Sequence, residues 1–276
     1  MSTVTITAAD VNKLRKSTGA GMMDCKKALV EAEGDFDKAI IVLRKQGQKV
    51  AAKRADREAS EGYVVAKSTG NFGAVVAVNC ETDFVAKNED FVAFANKIMD
   101  VAMTSGAANL DALKATEFEA GMTIAEKIVE QTGVIGEKID VSYFETINAD
   151  KVVAYNHPGN KIASLVGVNQ NGVEDSIVKD VAMQVAAMNP VALDASGVSE
   201  DIKNREFELG KEQAVKEGKP ENIVDKIANG KVQKFLKENT LVDQPFIKDN
   251  KQTVSQYLNS ASSGLKVTEF KRYSLS

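Results

Sequence analysis

Apolar and polar positions alternate along this chain with two distinct periods. Near the N-terminus the period is helical. Ala8 to Lys16 predicts a helix capped by Thr7, and Gly19-Ala20-Gly21 breaks it. Met22 to Glu33 predicts a second helix, stopped by Gly34. Asp35 to Gln46 predicts a third, with Phe36, Ala39, Ile40 and Leu43 on one face and Gly47 at its end. Three short helices make a small bundle, and a basic connector with Arg44, Lys45, Lys49, Lys53, Arg54 and Arg57 follows them. Beyond residue 60 the period shortens to that of strands. Gly62–Ala66 and Ala74–Val78 flank a Gly70-Asn71 turn and predict a β-hairpin, with a helix holding Asp100-Val101-Ala102-Met103 after it. The same order recurs later. Strands at Lys151–Tyr155 and Ala163–Val168 flank Gly159-Asn160, and a helix holding Asp180-Val181-Ala182-Met183 follows. A hairpin has one apolar face to cover, and a helix packed on it covers that face. The fold class is therefore α+β, with two related hairpin-plus-helix subdomains.

Two insertions decorate this plan. Residues 105–132 read as helical with weak periodicity, ahead of a third strand at Lys138–Phe144. Residues 199–238 carry nine basic and nine acidic side chains, and Gly218-Lys219-Pro220 splits them into two helices. Their apolar positions, such as Ile202, Leu209, Ile223 and Ile227, are sparse, which suits a helical hairpin projecting into solvent on a narrow seam, with a surface pair packed flat on the core as the alternative. The expected modules are 1–54, the three helices with the basic linker; 55–147, the first subdomain; and 148–276, the second subdomain with the insert at about 199–238.

Composition narrows the function classes. With 35 Lys plus Arg against 39 Asp plus Glu the net charge is −4, and the basic connector lacks aromatics for base stacking; both disfavour direct nucleic-acid binding. No 18-residue apolar run predicts a membrane span, and the first residues lack a secretory pattern, so the expected location is the cytoplasm. Cys25 and Cys80, far apart in sequence, are expected as free buried thiols. The single histidine, His157, sits in a turn-like Asn156-His157-Pro158-Gly159 and reads as a loop residue. Gly19-Ala20-Gly21 follows a helix rather than a strand and lacks a third glycine, so it is not a dinucleotide loop. No catalytic triad, Walker loop or metal-ligand spacing is present, and no cofactor is expected; the residues point to an interaction protein rather than an enzyme.

The most informative stretch is Cys80-Glu81-Thr82-Asp83-Phe84-Val85-Ala86-Lys87-Asn88, at a strand-to-helix corner. From the residues alone two readings of Phe84 stay open: a core residue lying at a corner, or a rigid aromatic presented to a partner. Two long motifs then carry a resemblance. One runs from Leu14-Arg15-Lys16-Ser17-Thr18-Gly19-Ala20-Gly21-Met22-Met23-Asp24-Cys25 to Glu33-Gly34-Asp35; the other is Val78-Asn79-Cys80-Glu81-Thr82-Asp83-Phe84-Val85-Ala86-Lys87. Weaker similarity continues through Ala182–Ala187 and Gln244-Pro245-Phe246. The chain resembles the bacterial elongation factor Ts family, nucleotide-exchange factors for elongation factor Tu. That resemblance implies an N-terminal ubiquitin-associated-like domain, a two-subdomain core and a coiled-coil protrusion. It implies that Thr82, Asp83, Phe84 and Val85 enter the partner GTPase, wedge beside its nucleotide site and dislodge Mg2+ there, so that GDP leaves and a nucleotide-free complex remains. Thr18, Gly19, Gly21, Met22 and Met23 would make a secondary contact, with the two methionines open to a packing role as well. The second subdomain would hold another domain of the partner, on a helix where some relatives have a histidine in place of Gln184. The role of the helical hairpin stays open between a homodimerisation arm, a handle for the ribosome or a partner, and neither.

Overall fold

A computed structural model describes residues 5–119 and 121–275. The first four residues, part of the stretch read as lacking a secretory pattern, lie outside the described residues. The chain forms two compact units. One takes in the chain up to Val65, Val76–Glu145 and the last residues from Ser274; the other takes in Ala66–Val75 and Thr146–Tyr273.

The first unit opens with three helices. α1 (Ala8–Thr18) starts at a capping box in which Thr7 and Asp10 satisfy each other's backbone N–H, and Gly19 closes it in the left-handed conformation at φ 71°. α2 (Met22–Glu31) and α3 (Phe36–Arg54) follow, α3 capped by the Asp35 carboxylate. Leu14, Cys25, Ala28, Leu29 and Ala39 form the buried centre, and Phe36, Ile40 and Leu43 close over it, as their spacing predicts. Each large apolar side chain buried in such a centre contributes ~1.5–3 kcal/mol. Gly47 does not end α3, which continues to Arg54, so the basic connector is the last turns of that helix. Gly47 is instead a crossing point. A Cβ built on Gly133 would fall 2.4 Å from the Gly47 Cα. α3 thus meets the segment carrying Gly133 backbone to backbone, and it is at position 133 that a side chain has no room.

β1 (Glu61–Thr69) and β2 (Phe72–Cys80) form the expected hairpin around Gly70-Asn71. A single turn, α4 (Asp83–Ala86), leads into α5 (Glu89–Thr104), which Asn88 caps. The buried residues of α5 are Phe91, Phe94, Ala95, Ile98, Met99 and Ala102, one face at helical spacing. The 105–132 segment is not wholly helical. α6 (Leu110–Ala115) and α7 (Ile124–Ile135) are separated by a small hairpin of β3 (Glu117–Glu119) and β4 (Met122–Thr123). The third strand, β5 (Asp140–Asn148), starts later than its apolar pattern suggests. Lys138 is diverted: its N–H donates to Glu81 and its Nζ to the carbonyls of Ala55 and Arg57.

The second unit repeats the plan. β6 (Lys151–Asn156) pairs antiparallel with β7 (Ile162–Val168) from Lys151↔Val168 to Asn156↔Ala163, and α8 (Asp175–Met188) packs across both strands. The connection is not a tight Gly-Asn turn but five residues long. Gly159 and Asn160 both take positive φ (90° and 52°) inside a loop closed by the His157 N–H to Ile162 carbonyl bond. His157 is a loop residue whose Nδ1 lies 3.1 Å from the Tyr155 hydroxyl. Two long helices, α9 (Glu200–Lys216) and α10 (Glu221–Asn239), pack on each other as an antiparallel hairpin. Their seam differs from the expected one: Leu209 and Ile223 are exposed, and Gly210, Ala214, Val224, Ala228 and Val232 are buried. A Cβ on Gly210 would lie 2.9 Å from the Ala228 Cα, so small residues set a close helix–helix approach. At the hairpin's base, Val232 and Leu236 join Ala192 and Val198 in a small cluster.

β8 (Pro245–Phe246), β9 (Asp249–Thr253), α11 (Val254–Ala261) and β10 (Val267–Ser274) complete the chain. β10 joins β7, giving the order β6-β7-β10, and the first sheet has the order β1-β2-β5. In each, a hairpin is followed by a helix and a later strand adds beside the hairpin's second strand. The duplication legible in the hairpins therefore extends to a third strand. Val166, Val168, Val178, Val181, Val185, Leu258 and Val267 form the core of the second unit. Among the described residues no helix is long and apolar enough to cross a membrane.

Candidate functional site

Strand β2 ends at a buried cysteine, and the chain turns there. Cys80 is free and fully buried, and its thiol donates to the Thr82 carbonyl at 3.2 Å. Burial, with the nearby Glu137 charge adding to it, pushes that thiol up to about 12, so it stays protonated. Cys25, the second free thiol, is buried inside the three-helix centre.

Thr82 is the N-cap of α4, its Oγ1 accepting from the Val85 N–H at 3.4 Å. Its hydroxyl donates to Glu137 Oε1 at 2.7 Å, and the N–H groups of Glu81 and Thr82 donate to Glu137 Oε2 at 3.1 and 3.0 Å. Glu81 reciprocates by accepting the Lys138 N–H at 2.6 Å and a forked contact from Arg54 Nη1 at 2.7 and 2.9 Å. The Lys138 amide, then Arg54, hold the Glu81 carboxyl below its ordinary value. Asp83 ion-pairs with Lys87 one turn on at 2.7 Å, which raises the Lys87 ammonium above its ordinary value.

This frame leaves Phe84 outside. The residue is 84% exposed, which removes the reading of it as a core residue; Ala86, two positions on, is buried instead. Phe84 and Val85 border an open cleft of about 750 Å3 in the first unit. The floor is aromatic: Phe94 and Phe118 meet edge-to-face at 5.5 Å, and Lys97 Nζ lies 4.2 Å from the Phe118 ring centroid. Glu119 bridges Lys127 at 2.8 Å and Lys97 at 2.5 Å beside it, and these bonds hold its carboxyl down at about 2.

The same cleft is bordered by Thr18 and Gly19 at the end of α1, so these two sequence-predicted positions share a rim with Phe84 and Val85. Thr18 itself is half-buried, its hydroxyl donating to the Leu14 carbonyl at 2.8 Å. Gly21, Met22 and Met23 do not line the cleft; the two methionines are exposed at the start of α2. Gln184 is wholly buried. Its Nε2 donates to Gln244 Oε1 and the Pro245 carbonyl, and its Oε1 accepts the Ile247 N–H. This side chain thus faces inward and ties α8 to the β8–β9 hairpin.

Sequence reading missed Glu137, Lys138 and the Arg54–Glu81 pair. The only local cue is a Gly136-Glu137-Lys138 step just past α7, and nothing in spacing joins it to residues more than fifty positions earlier.

Comparison with known proteins agrees with the motifs around this corner. The family model described as elongation factor Ts matches residues 81–276. This chain belongs to the elongation factor Ts family. Curated elongation factor Ts proteins are similar over nearly the whole length: that of Christiangramia forsetii is 54% identical over 274 residues, covering 98% of each chain. That of Amoebophilus asiaticus is 51% identical over 97% of this chain and 98% of its own. That of Porphyromonas gingivalis is 47% identical over 98% of each. The elongation factor Ts relatives therefore span both the three-helix N-terminal segment and the corner that carries Phe84.

Proposed function

We propose that the corner Thr82–Val85 is the working edge of a guanine-nucleotide exchange factor acting on elongation factor Tu in translation elongation. Exchange on elongation factor Tu is the work of the family. The observation that carries the site is Phe84: an apolar residue, 84% exposed, held on a hydrogen-bonded turn instead of being buried. A ring in that setting is available to another protein's pocket, where a buried aromatic anchor contributes roughly 2–4 kcal/mol. In this reading Phe84 and Asp83 enter the GTPase next to its nucleotide, displace Mg2+ and so loosen GDP. The chain performs no covalent chemistry and needs no cofactor of its own. Thr18, Gly19, Gly21, Met22 and Met23 form a secondary contact, supported for Thr18 and Gly19 by the rim they share with Phe84. The modules 1–54, 55–147 and 148–276 then divide the labour, in the cytoplasm where the partner works.

The thermodynamics constrain the mechanism. Only differential affinity shifts an equilibrium, so the factor must bind the nucleotide-free GTPase more tightly than the GDP-bound one. Weakening nucleotide binding by ~10⁴ needs about 5.5 kcal/mol of coupling. That exceeds one ring, so a broad interface supplies the remainder, and GDP weakens factor binding by the same factor in return.

The test is the release rate of labelled GDP from elongation factor Tu. Phe84→Ala is expected to slow the stimulated rate about tenfold or more, with Asp83→Ala slower than the parent as well. Stimulation left intact by both substitutions would remove the corner from the mechanism.

A further inference from the structure

Phe84 is exposed, and α4 is a single turn of four residues, too short to hold its own shape. Something outside the turn must orient the ring. We propose that Glu137 is the positioning residue of the exchange corner, clamping the turn from behind so that Phe84 is pre-aimed at the partner; this rests on the reading of Thr82–Val85 as the working edge.

The geometry is specific. One carboxylate accepts three hydrogen bonds from the two residues that lead into α4: the amides of Glu81 and Thr82 on Oε2, and the Thr82 hydroxyl on Oε1. Because an ionised carboxylate only accepts, the Thr82 hydroxyl must donate to it. Its oxygen lone pairs are then left for the Val85 amide, which is the capping bond of α4. The order of control runs from Glu137 through Thr82 to the turn carrying Phe84. Charge-assisted bonds of this kind are about twice as strong as neutral ones.

The clamp is anchored on its far side. Gly136 ends α7 in the left-handed conformation at φ 80°, and Glu137 is the next residue. Lys138 follows, giving its amide to Glu81 and its Nζ to the Ala55 and Arg57 carbonyls beyond the end of α3. Three segments, 54–57, 81–82 and 137–138, are thus tied by reciprocal carboxylate-to-amide bonds and the Arg54–Glu81 pair. Neither Glu137 nor Lys138 borders the cleft that Phe84 overhangs, so Glu137 acts through the turn and not by touching what enters the cleft. Pre-organisation raises affinity by removing an ordering cost at binding. In an exchange factor, the part of that gain spent at the nucleotide site appears as release rate.

The experiment is a double-mutant cycle on GDP release from elongation factor Tu, with the factor titrated to saturation. Glu137→Ala is expected to lower the maximal stimulated rate about five- to tenfold, with a smaller change in the half-saturating factor concentration. Glu137→Gln, which keeps one acceptor oxygen for the two amides but loses the one that accepts the Thr82 hydroxyl, should show a smaller loss of about two- to threefold. In a Phe84→Ala background, Glu137→Ala should have less than a twofold further effect, because its consequence passes through a ring already removed. Equal effects in both backgrounds would show a general structural role and overturn the proposal, as would a parental rate for Glu137→Ala alone. If Glu137→Ala does not fold, Glu137→Gln carries the same cycle: a twofold or greater loss confined to the Phe84 background supports the clamp, and a parental rate or equal losses in both overturns it. Full activity in both Phe84→Ala and Asp83→Ala would instead defeat the site assignment, a result distinguishable from failure of the clamp.

Discussion

Residues 84 and 184 show how far chemistry and position diverge in this chain. A phenylalanine, a type commonly found inside, lies outside, and a glutamine, mostly expected outside, is wholly buried. The buried amide is tolerated because neighbouring groups satisfy it. Gln184 uses both ends of its amide, on Gln244, Pro245 and Ile247, so its burial costs little. Removing it strands those partners. Gln184→Ala should therefore lower unfolding stability by about 1–3 kcal/mol, read as a shift of the urea midpoint. A midpoint within about 0.5 kcal/mol of the parent would show that the three bonds carry no net weight. The corner motif is visible in the sequence because its residues are contiguous. Its clamp is not, because Glu137 and Thr82 meet only through the fold.

At the scale of elements, the positions of glycine matter more than their number. On α7, a methyl group at Gly133 would meet the Gly47 Cα at 2.4 Å, which no backbone accommodates without moving. At Gly47 the nearest atoms to an added Cβ are the Val129 carbonyl oxygen at 3.4 Å and the Gly133 Cα at 3.6 Å. The same substitution therefore has opposite expected signs. Gly133→Ala should destabilise by ~1–3 kcal/mol through overpacking. Gly47→Ala should be neutral or stabilising by up to about 1 kcal/mol, since it removes backbone freedom within a helix. Paired denaturant melts of the two variants check this, and equal losses would mean that the helices part easily. The sequence pattern reads Gly47 as a stop because a glycine after a run of helical spacing commonly is one. Here the helix had a partner to pack against, and contact outweighed propensity. The α9–α10 seam was misplaced for a related reason: the pattern pointed to Leu209 and Ile223, whereas Gly210 and Ala228 make the close approach.

Across the whole molecule, the groups with large shifts bound the pH range in which the fold holds. Glu119 is held at about 2 by Lys127 and Lys97 against an ordinary value of 4.5. Its stabilisation is therefore present above 4.5 and fades as pH falls toward 2. Cys80 and Tyr257 are both raised to about 12, from 9.0 and 10.0, chiefly by burial. Their contribution is complete below those ordinary values and is lost as pH climbs toward 12, because the unfolded chain ionises first. Melting temperature should thus be level from about pH 5 to 9 and fall on both sides. Glu119→Gln should flatten part of the acid limb, and an unchanged acid limb would mean that the Lys97–Glu119–Lys127 bridge does not contribute.

Much of this protein is legible in one dimension. The helix cap at Thr7, the Gly70-Asn71 hairpin, the repeat of hairpin and helix, and the break at Gly218-Lys219-Pro220 all arise from neighbours in sequence. Local backbone preference and hydrophobic period decide such features before any tertiary contact forms. What the fold alone decided is of another kind: Phe84 outside and Gln184 inside, Gly47 as a crossing instead of an end, the third strand of the second sheet, and Glu137 behind the corner. Each depends on which distant segment arrives alongside. Burial and hydrogen-bond partners are properties of that arrival, not of the residue that receives it.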